Sequence, residues 1–168
     1  MRVPIRKGDK RLGQKPDPYL TEKKFITLKN KLDKLKNFSR PKEAAEVRRL
    51  AEMGDFSENA GYQLAKGRLR GINQRIIDLE NHLKVAEIIK TNPNLKTIQI
   101  GSRVTLKRDG REKVYTILGS SESDPVNKII SYSSPLGAAL IGHKTGDKIN
   151  VTLANKEVTY IVKQIEQL

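Results

Sequence analysis

Two carboxylates lie three residues apart in the segment 53–60, which begins with a turn signal. Asp55 and Glu58 could share a divalent cation such as Mg²⁺, because hard cations prefer oxygen ligands. The same spacing is typical of a capping box, in which Asp55 caps a helix and Glu58 reaches back to its N–H. Spacing alone favours the cap, and both interpretations are compatible because a capping carboxylate keeps a spare oxygen. Two carboxylates do not complete a metal site, so the remaining ligands would come from a partner.

The same turn carries an aromatic residue and is flanked by positive charge. Phe56 at the end of an extended hairpin would have nothing in its own chain to pack against, which indicates burial in a partner; the alternative is that it folds back against Ala60. The flanking cations could contact RNA phosphates, contact an acidic wall, or remain solvated. They are Arg48, Arg49, Lys66, Arg68 and Arg70. Their spacing does not allow the last three to share one helical face.

Heptad-spaced apolar residues predict two helices on either side of this turn. The first seam consists of Phe25, Leu28, Leu32, Leu35, Ala44, Val47 and Leu50 (or Ala51). Pro41 predicts a break or kink within it and a restart of the helix at that residue. The second helix is predicted from near Phe56 to about Lys90, with a seam of Leu69, Ile72, Ile76, Leu79, Leu83 and Ala86. A short connection forces the two helices to pack antiparallel, as a coiled-coil hairpin.

Beyond a linker at 91–98, the apolar period drops to two. Alternating segments around a turn at 108–111, a strand within 127–133 and two more strands around 155–156 predict a small antiparallel sheet. Ser134 as N-cap, Pro135 as first helical residue and Gly142 as terminator predict one short helix between them. The expected fold class is α+β, with a hairpin over 19–90 and a sheet domain over 99–168.

Composition restricts the class of protein. The chain has 168 residues, no cysteine and a net charge of +14, and its basic excess indicates a polyanionic partner or a machine that handles one. No apolar run approaches the roughly 20 residues that span a bilayer, and no secretory signal is visible. We therefore expect a cytoplasmic protein with no membrane contact, monomeric, with a disordered basic arm over 1–18.

Two separated motifs resemble the Gre family of bacterial transcript cleavage factors. The first is the run 54–60 (Gly-Asp-Phe-Ser-Glu-Asn-Ala), followed by Tyr62 and Lys66. The second is Ile-Ser at 130–131 followed by the run 134–142. Arg-Pro at 40–41 is also similar to the family pattern. The resemblance covers about residues 19–168, with both motifs on the expected architecture.

The resemblance implies a mechanism. The coiled coil would enter the secondary channel of bacterial RNA polymerase, while an FKBP-like C-terminal domain docks at its rim through Ser134, Pro135 and Leu136. Asp55 and Glu58 would help the polymerase hold its second Mg²⁺ for hydrolysis of the backtracked RNA 3′ end, a two-metal reaction. Contacts at the tip would come from Phe56, Ser57, Asn59 and Tyr62. The chain would bind no cofactor alone, act in trans rather than as an enzyme, and touch nucleic acid only through its basic surface.

Within the family, the residues at 57–70 look closer to the GreB type than to the GreA type. Two departures qualify the resemblance. Gly61 replaces the usual acidic residue and weakens its helical turn by up to about 1 kcal/mol against alanine. The basic arm over 1–18 is longer than the usual start of the family.

Three other functions compete with transcript cleavage. One is a channel-binding regulator that inhibits polymerase without stimulating cleavage, which the two intact acids argue against. A second is a prolyl isomerase, disfavoured because residues 91–168 contain no Trp or Phe to line an aromatic pocket. A third is a general nucleic-acid-binding coiled coil, which would leave the acidic tip unexplained.

Overall fold

A computed structural model describes residues 17–53, 60–90, 96–153 and 156–168. These residues form a helical hairpin followed by a five-stranded sheet with one short helix. The predicted α+β class and the order of its two parts are confirmed.

The hairpin contains three α-helices: α1 (Glu22–Lys34), α2 (Arg40–Glu52) and α3 (Ala60–Lys84). Both α1 and α2 pack against α3. Thr21 caps α1, since its hydroxyl accepts a hydrogen bond from the N–H of Lys24 at 3.2 Å.

The predicted heptad seam is the inner face of this hairpin. Leu32 and Ile76 are buried, and the other seam residues are half-buried except for Ala44, which is exposed. Ala65, which the sequence pattern missed, is fully buried and extends the seam by one step toward the start of α3. Alanine is only a weak apolar signal, because it occurs about as readily on exposed helix faces, as Ala44 does here.

The expected interruption of the first helix takes the form of a π-helical turn over Leu35–Ser39. The predicted restart of the helix at Pro41 is wrong, because α2 follows the π-helical turn directly from Arg40. Pro41 stands in the first turn of α2, where its missing N–H costs little. The wide turn leaves the side chain of Phe38 72% exposed on the shaft.

The second helix ends at Lys84, six residues before the predicted Lys90. The chain then forms β2 (Glu87–Ile88), which pairs in parallel with β1 (Tyr19–Leu20). Backbone hydrogen bonds of 2.7 and 2.9 Å flank this pair. The base of the hairpin is therefore closed by strand pairing rather than by further coiled coil. The residues after Lys84 are extended because they pair with β1.

The sheet has the order β5-β4-β3-β7-β6. Its strands are β3 (Ser102–Arg108), β4 (Arg111–Leu118), β5 (Ile129–Ser131), β6 (Lys148–Leu153) and β7 (Lys156–Gln167). The short helix α4 (Pro135–Leu140) follows β5. Three pairings are antiparallel, but β5 joins β4 in parallel, so the sheet is mixed rather than purely antiparallel as predicted.

One face of the sheet and α4 enclose the core of the C-terminal half. Its fully buried members are Ile98, Val104, Leu106, Ile117, Leu140 and Val162. Ile98 falls within the predicted linker, yet its backbone bonds to the segment 142–143 and its side chain is buried. The predicted turn between β3 and β4 is confirmed, with φ of 50° at Asp109 and 76° at Gly110.

Candidate functional site

The two arms of the hairpin are held in antiparallel register by ion pairs. Lys36 lies 2.6 Å from Glu80, and Arg68 lies 2.5 Å from Glu43. The point midway along the chain between the partners of each pair falls within 55–58. The two arms are therefore in register about the segment 54–59 that connects them in the sequence.

That connecting segment contains most of the predicted tip residues. Asp55, Phe56, Ser57, Glu58 and Asn59 lie outside the described residues. The described part of the chain resumes at Ala60, where α3 begins. Their predicted roles at the tip stay predictions.

Three of the five predicted basic residues are held by carboxylates of the hairpin itself. Arg48 bonds Glu52 at 3.0 Å, Arg49 bonds Glu46 at 2.8 and 2.9 Å, and Arg68 reaches across to Glu43. The hydrogen bond from Arg49 lowers the pKa of Glu46 and raises that of the guanidinium. These three cations are therefore partly neutralised along the shaft.

The other two predicted cations, Lys66 and Arg70, make no ion pair with any described residue. The ammonium of Lys66 lies 5.7 Å from the ring centre of Tyr62, one helical turn earlier. Residues 62, 66 and 70 are spaced by four and share one face of α3, whereas Arg68 turns toward the other arm. Lys66 and Arg70 therefore lie on a different face of α3 from Arg68. Of the five predicted cations, these two are not neutralised by a described carboxylate.

The predicted docking residues open α4. The hydroxyl of Ser134 donates to the carbonyl of Ser131 at 2.7 Å and accepts from the N–H of Gly137 at 3.1 Å. Pro135 is exposed in the first turn, whereas Leu136 is buried in the core. Pro135 is therefore the most exposed of the three, and their docking role stays a prediction.

A contact region that sequence reasoning missed joins the base of the hairpin to the sheet domain. The Asp17 carboxylate accepts hydrogen bonds from the N–H and hydroxyl of Ser120 at 2.6 and 2.7 Å. Asp17 belongs to the segment predicted as a disordered arm, so its end, at least, is fixed. The Tyr19 ring packs edge-on against Tyr132 at 5.5 Å. No local sequence pattern predicts these contacts, because the partners are about a hundred residues apart in the chain.

The hairpin base approaches the sheet domain most closely at Gly119. A Cβ atom placed there would lie 2.1 Å from the carbonyl oxygen of Tyr19. Only glycine allows the two backbones to approach this closely. Among the described residues, no group of three or more His, Asp or Glu side chains could hold a metal ion, and no helix is long and apolar enough to cross a bilayer.

Comparison with known proteins identifies both halves of the chain. The family described as "Transcription elongation factor, N-terminal" matches residues 18–88, and "Transcription elongation factor, GreA/GreB, C-term" matches residues 92–167. The chain is 34% identical over 152 residues to transcription elongation factor GreA of Oenococcus oeni, covering 88% of this chain and 94% of the relative. It is 42% identical over 135 residues to GreA of Orientia tsutsugamushi, covering 79% and 85%.

A solved structure, the GreA factor homolog Gfh1 of Thermus thermophilus, is 25% identical and superposes with a TM-score of 0.42, covering 89% of this chain and 99% of that one. The family matches embrace GreA and GreB together, so the GreB-like subtype stays a prediction. By both of its halves and by its identity to these relatives, the chain belongs to the GreA/GreB family of transcription elongation factors.

Proposed function

We propose that this protein enters the secondary channel of bacterial RNA polymerase and stimulates the polymerase's own cleavage of backtracked RNA. Family membership over both halves of the chain is the observation that carries this proposal. The intact acidic pair, Asp55 and Glu58, in the segment that connects the two arms supports it.

The shape of the hairpin suits a probe that reaches into a narrow passage. The helix α3 has 25 residues, which corresponds to about 37 Å at 1.5 Å per residue. Two packed helices form a slender rod, and the seam supplies its stiffness. In this proposal the five-stranded sheet domain stays at the channel rim, where the start of α4 at Ser134 and Pro135 contacts the polymerase.

In this proposal Asp55 and Glu58 act as ligands in trans. The active-site Mg²⁺ ions of the polymerase supply the Lewis acidity and the activated water for hydrolysis of a phosphodiester. The two carboxylates add oxygen ligands and negative charge at the weaker cation site and so raise its occupancy. They also orient water by accepting its hydrogen bonds. The factor alone cleaves nothing, because two carboxylates do not complete a site.

Lys66 and Arg70, which make no ion pair with the described residues, would assist from the shaft. Lys66 and Arg70 lie one and two turns beyond Tyr62 on one face, where they can meet the phosphates of the extruded RNA 3′ end. Arg48, Arg49 and Arg68 contribute less, because carboxylates of the hairpin already neutralise them. The protein would work as a monomer in the cytoplasm, where its polymerase resides.

The test is transcript cleavage in stalled, backtracked elongation complexes with cognate polymerase and Mg²⁺. We compare the native protein with Asp55→Asn and Glu58→Gln, and with Asp78→Asn as a control for loss of a carboxylate on the exposed shaft of α3. The native protein and the control should shorten the RNA rapidly. Both tip variants should bind polymerase but lose most of the stimulation.

Negligible cleavage by all four proteins, with polymerase still bound, would reject this proposal and leave the channel-binding regulator. The length of the released RNA tests the subtype, because the resemblance to the GreB type implies longer RNA products than those of the GreA type.

A further inference from the structure

A second charged feature lies in the sheet domain, away from the hairpin. An open cavity of about 450 Å³ sits beside the turn between β3 and β4. It is lined by Leu106, Arg108, Asp109, Arg111, Lys113, Tyr115 and Tyr160. Its volume falls in the range of small-ligand pockets.

The position of the basic side chains follows from the strand register. Val104 and Leu106 point into the core, so by alternation Arg108 continues the same row. Their cross-strand partners on β4 are Tyr115, Lys113 and Arg111, respectively. Three positions on the core-facing side of the β3–β4 pair thus carry cations instead of apolar residues.

The charges of the cavity are not balanced within the described residues. Arg108 bonds Asp109 at 3.0 Å and lies 6.0 Å from the ring centre of Tyr160. Arg111 and Lys113 make no ion pair with any described residue. Arg111 faces Arg108 directly across the strands, an arrangement that is destabilising without an anion between them. Three cations and one carboxylate leave the lining with two excess positive charges.

Protection of a sheet edge explains only part of this cluster. β4 is paired with β5 solely at residues 116–118, so Arg111 and Lys113 stand on an open edge, where inward-pointing charge discourages aggregation. Arg108 lies at the end of β3, an inner strand that pairs with β7 as far as Lys107, and so does not stand on the open edge of β4. The edge explanation therefore leaves the facing arginine pair unexplained.

We propose that this cavity binds the phosphate group of a phosphate monoester or polyphosphate, of which a nucleoside triphosphate is the type. A phosphate dianion matches the two excess charges, whereas a carboxylate would leave one unbalanced. Guanidinium groups bind phosphate through paired hydrogen bonds. The Tyr115 hydroxyl stays a hydrogen-bond donor, since burial raises its pKa.

The ring of Tyr160 does not offer a base-stacking platform. Tyr160 is only 6% exposed and is covered on one side by Arg108. The site should therefore recognise phosphate rather than a particular base, and pyrophosphate should bind about as well as ATP.

The experiment is a titration of the isotope-labelled full-length protein with pyrophosphate, with ATP and with a single-stranded RNA lacking a 5′ phosphate, followed by amide NMR shifts without Mg²⁺. The test variant is Arg111→Gln with Lys113→Gln. The matched control is Arg103→Gln with Lys163→Gln, which removes the same charge from exposed positions of β3 and β7 outside the cavity. Thermal unfolding of each variant checks folding.

We expect saturable shifts centred on Leu106 and Lys113 with pyrophosphate and ATP, weakened about tenfold or more in the test variant and little changed in the control. Absence of saturable binding to the native protein would overturn the proposal in favour of edge protection. Equal weakening in both variants would overturn it in favour of net charge, and binding of RNA alone would replace it with a nucleic-acid surface.

Discussion

Thr21 and Glu122 join the two halves of the molecule across 101 residues of sequence. The backbone N–H and the hydroxyl of Thr21 each donate to a different carboxylate oxygen of Glu122, both at 2.7 Å. The same Thr21 oxygen caps α1. One residue thus starts the helical hairpin and joins its base to the sheet domain.

A double-mutant cycle should reveal this coupling. Thr21→Val and Glu122→Gln each weaken the contact, and we expect a coupling energy of about 1 kcal/mol, because hydrogen bonds to charged groups stabilise more than neutral ones. Urea unfolding followed by circular dichroism measures it. Thr21→Ser keeps both the cap and the contact and should resemble the native protein. Strictly additive variants would show that the contact is energetically silent.

Two glycine-to-alanine substitutions should have opposite signs. Gly119→Ala places a methyl group against the Tyr19 carbonyl and should destabilise the protein by about 1–3 kcal/mol, as overpacking does. Gly67→Ala, in α3, meets no atom within 4 Å and should stabilise by up to about 1 kcal/mol through helix propensity. The test is to measure the free energy of unfolding of each variant and compare it with that of the native protein. Equal effects would contradict the close approach at Gly119.

The hairpin cations that pair with a described carboxylate and those that do not should differ in their salt dependence. Lys66→Gln with Arg70→Gln should weaken binding to backtracked complexes and reduce the slope of log affinity against log salt by about 1.4, the effect of two lost contacts to single-stranded phosphates. Arg48→Gln with Arg49→Gln removes the same charge but should change the slope less, because Glu52 and Glu46 already hold those side chains. Competition binding at several KCl concentrations compares them, and equal slopes would reject the distinction.

Stability should decline in acid partly through two carboxylates of the sheet domain. The backbone N–H of Lys144 and the ring of His143 lower the pKa of Asp147 below its usual 3.8, and Asn127 lowers that of Asp124. Both groups bind protons more readily in the unfolded chain, so their contribution is complete above the usual pKa and is lost as pH falls through the lowered value.

Urea unfolding between pH 6 and about pH 3 tests this. The variant with Asp124→Asn and Asp147→Asn should be less stable than the native protein near pH 6 and should lose less stability toward pH 3. Parallel curves for the two proteins would show that these carboxylates do not titrate with folding.

Local chemistry was sufficient to predict the parts of this molecule that depend on neighbouring residues. The seam through Leu32 and Ile76, the Asp109-Gly110 turn and the Ser134 cap of α4 follow from periodicity and from hydrogen bonds within four residues. Spacing alone favoured a helix cap for Asp55 and Glu58, so their role as metal ligands depends on the resemblance to the family and stays a prediction.

Tertiary structure decided what depends on residues far apart in the chain. The ending of α3 at Lys84 required β1 as a strand partner, and the parallel docking of β5 required the finished β4. Which cations are neutralised, such as Arg68 by Glu43, depends on the register of two helices. The contact of Thr21 with Glu122 arises only after folding, because neither residue type carries a local record of a partner 101 residues away.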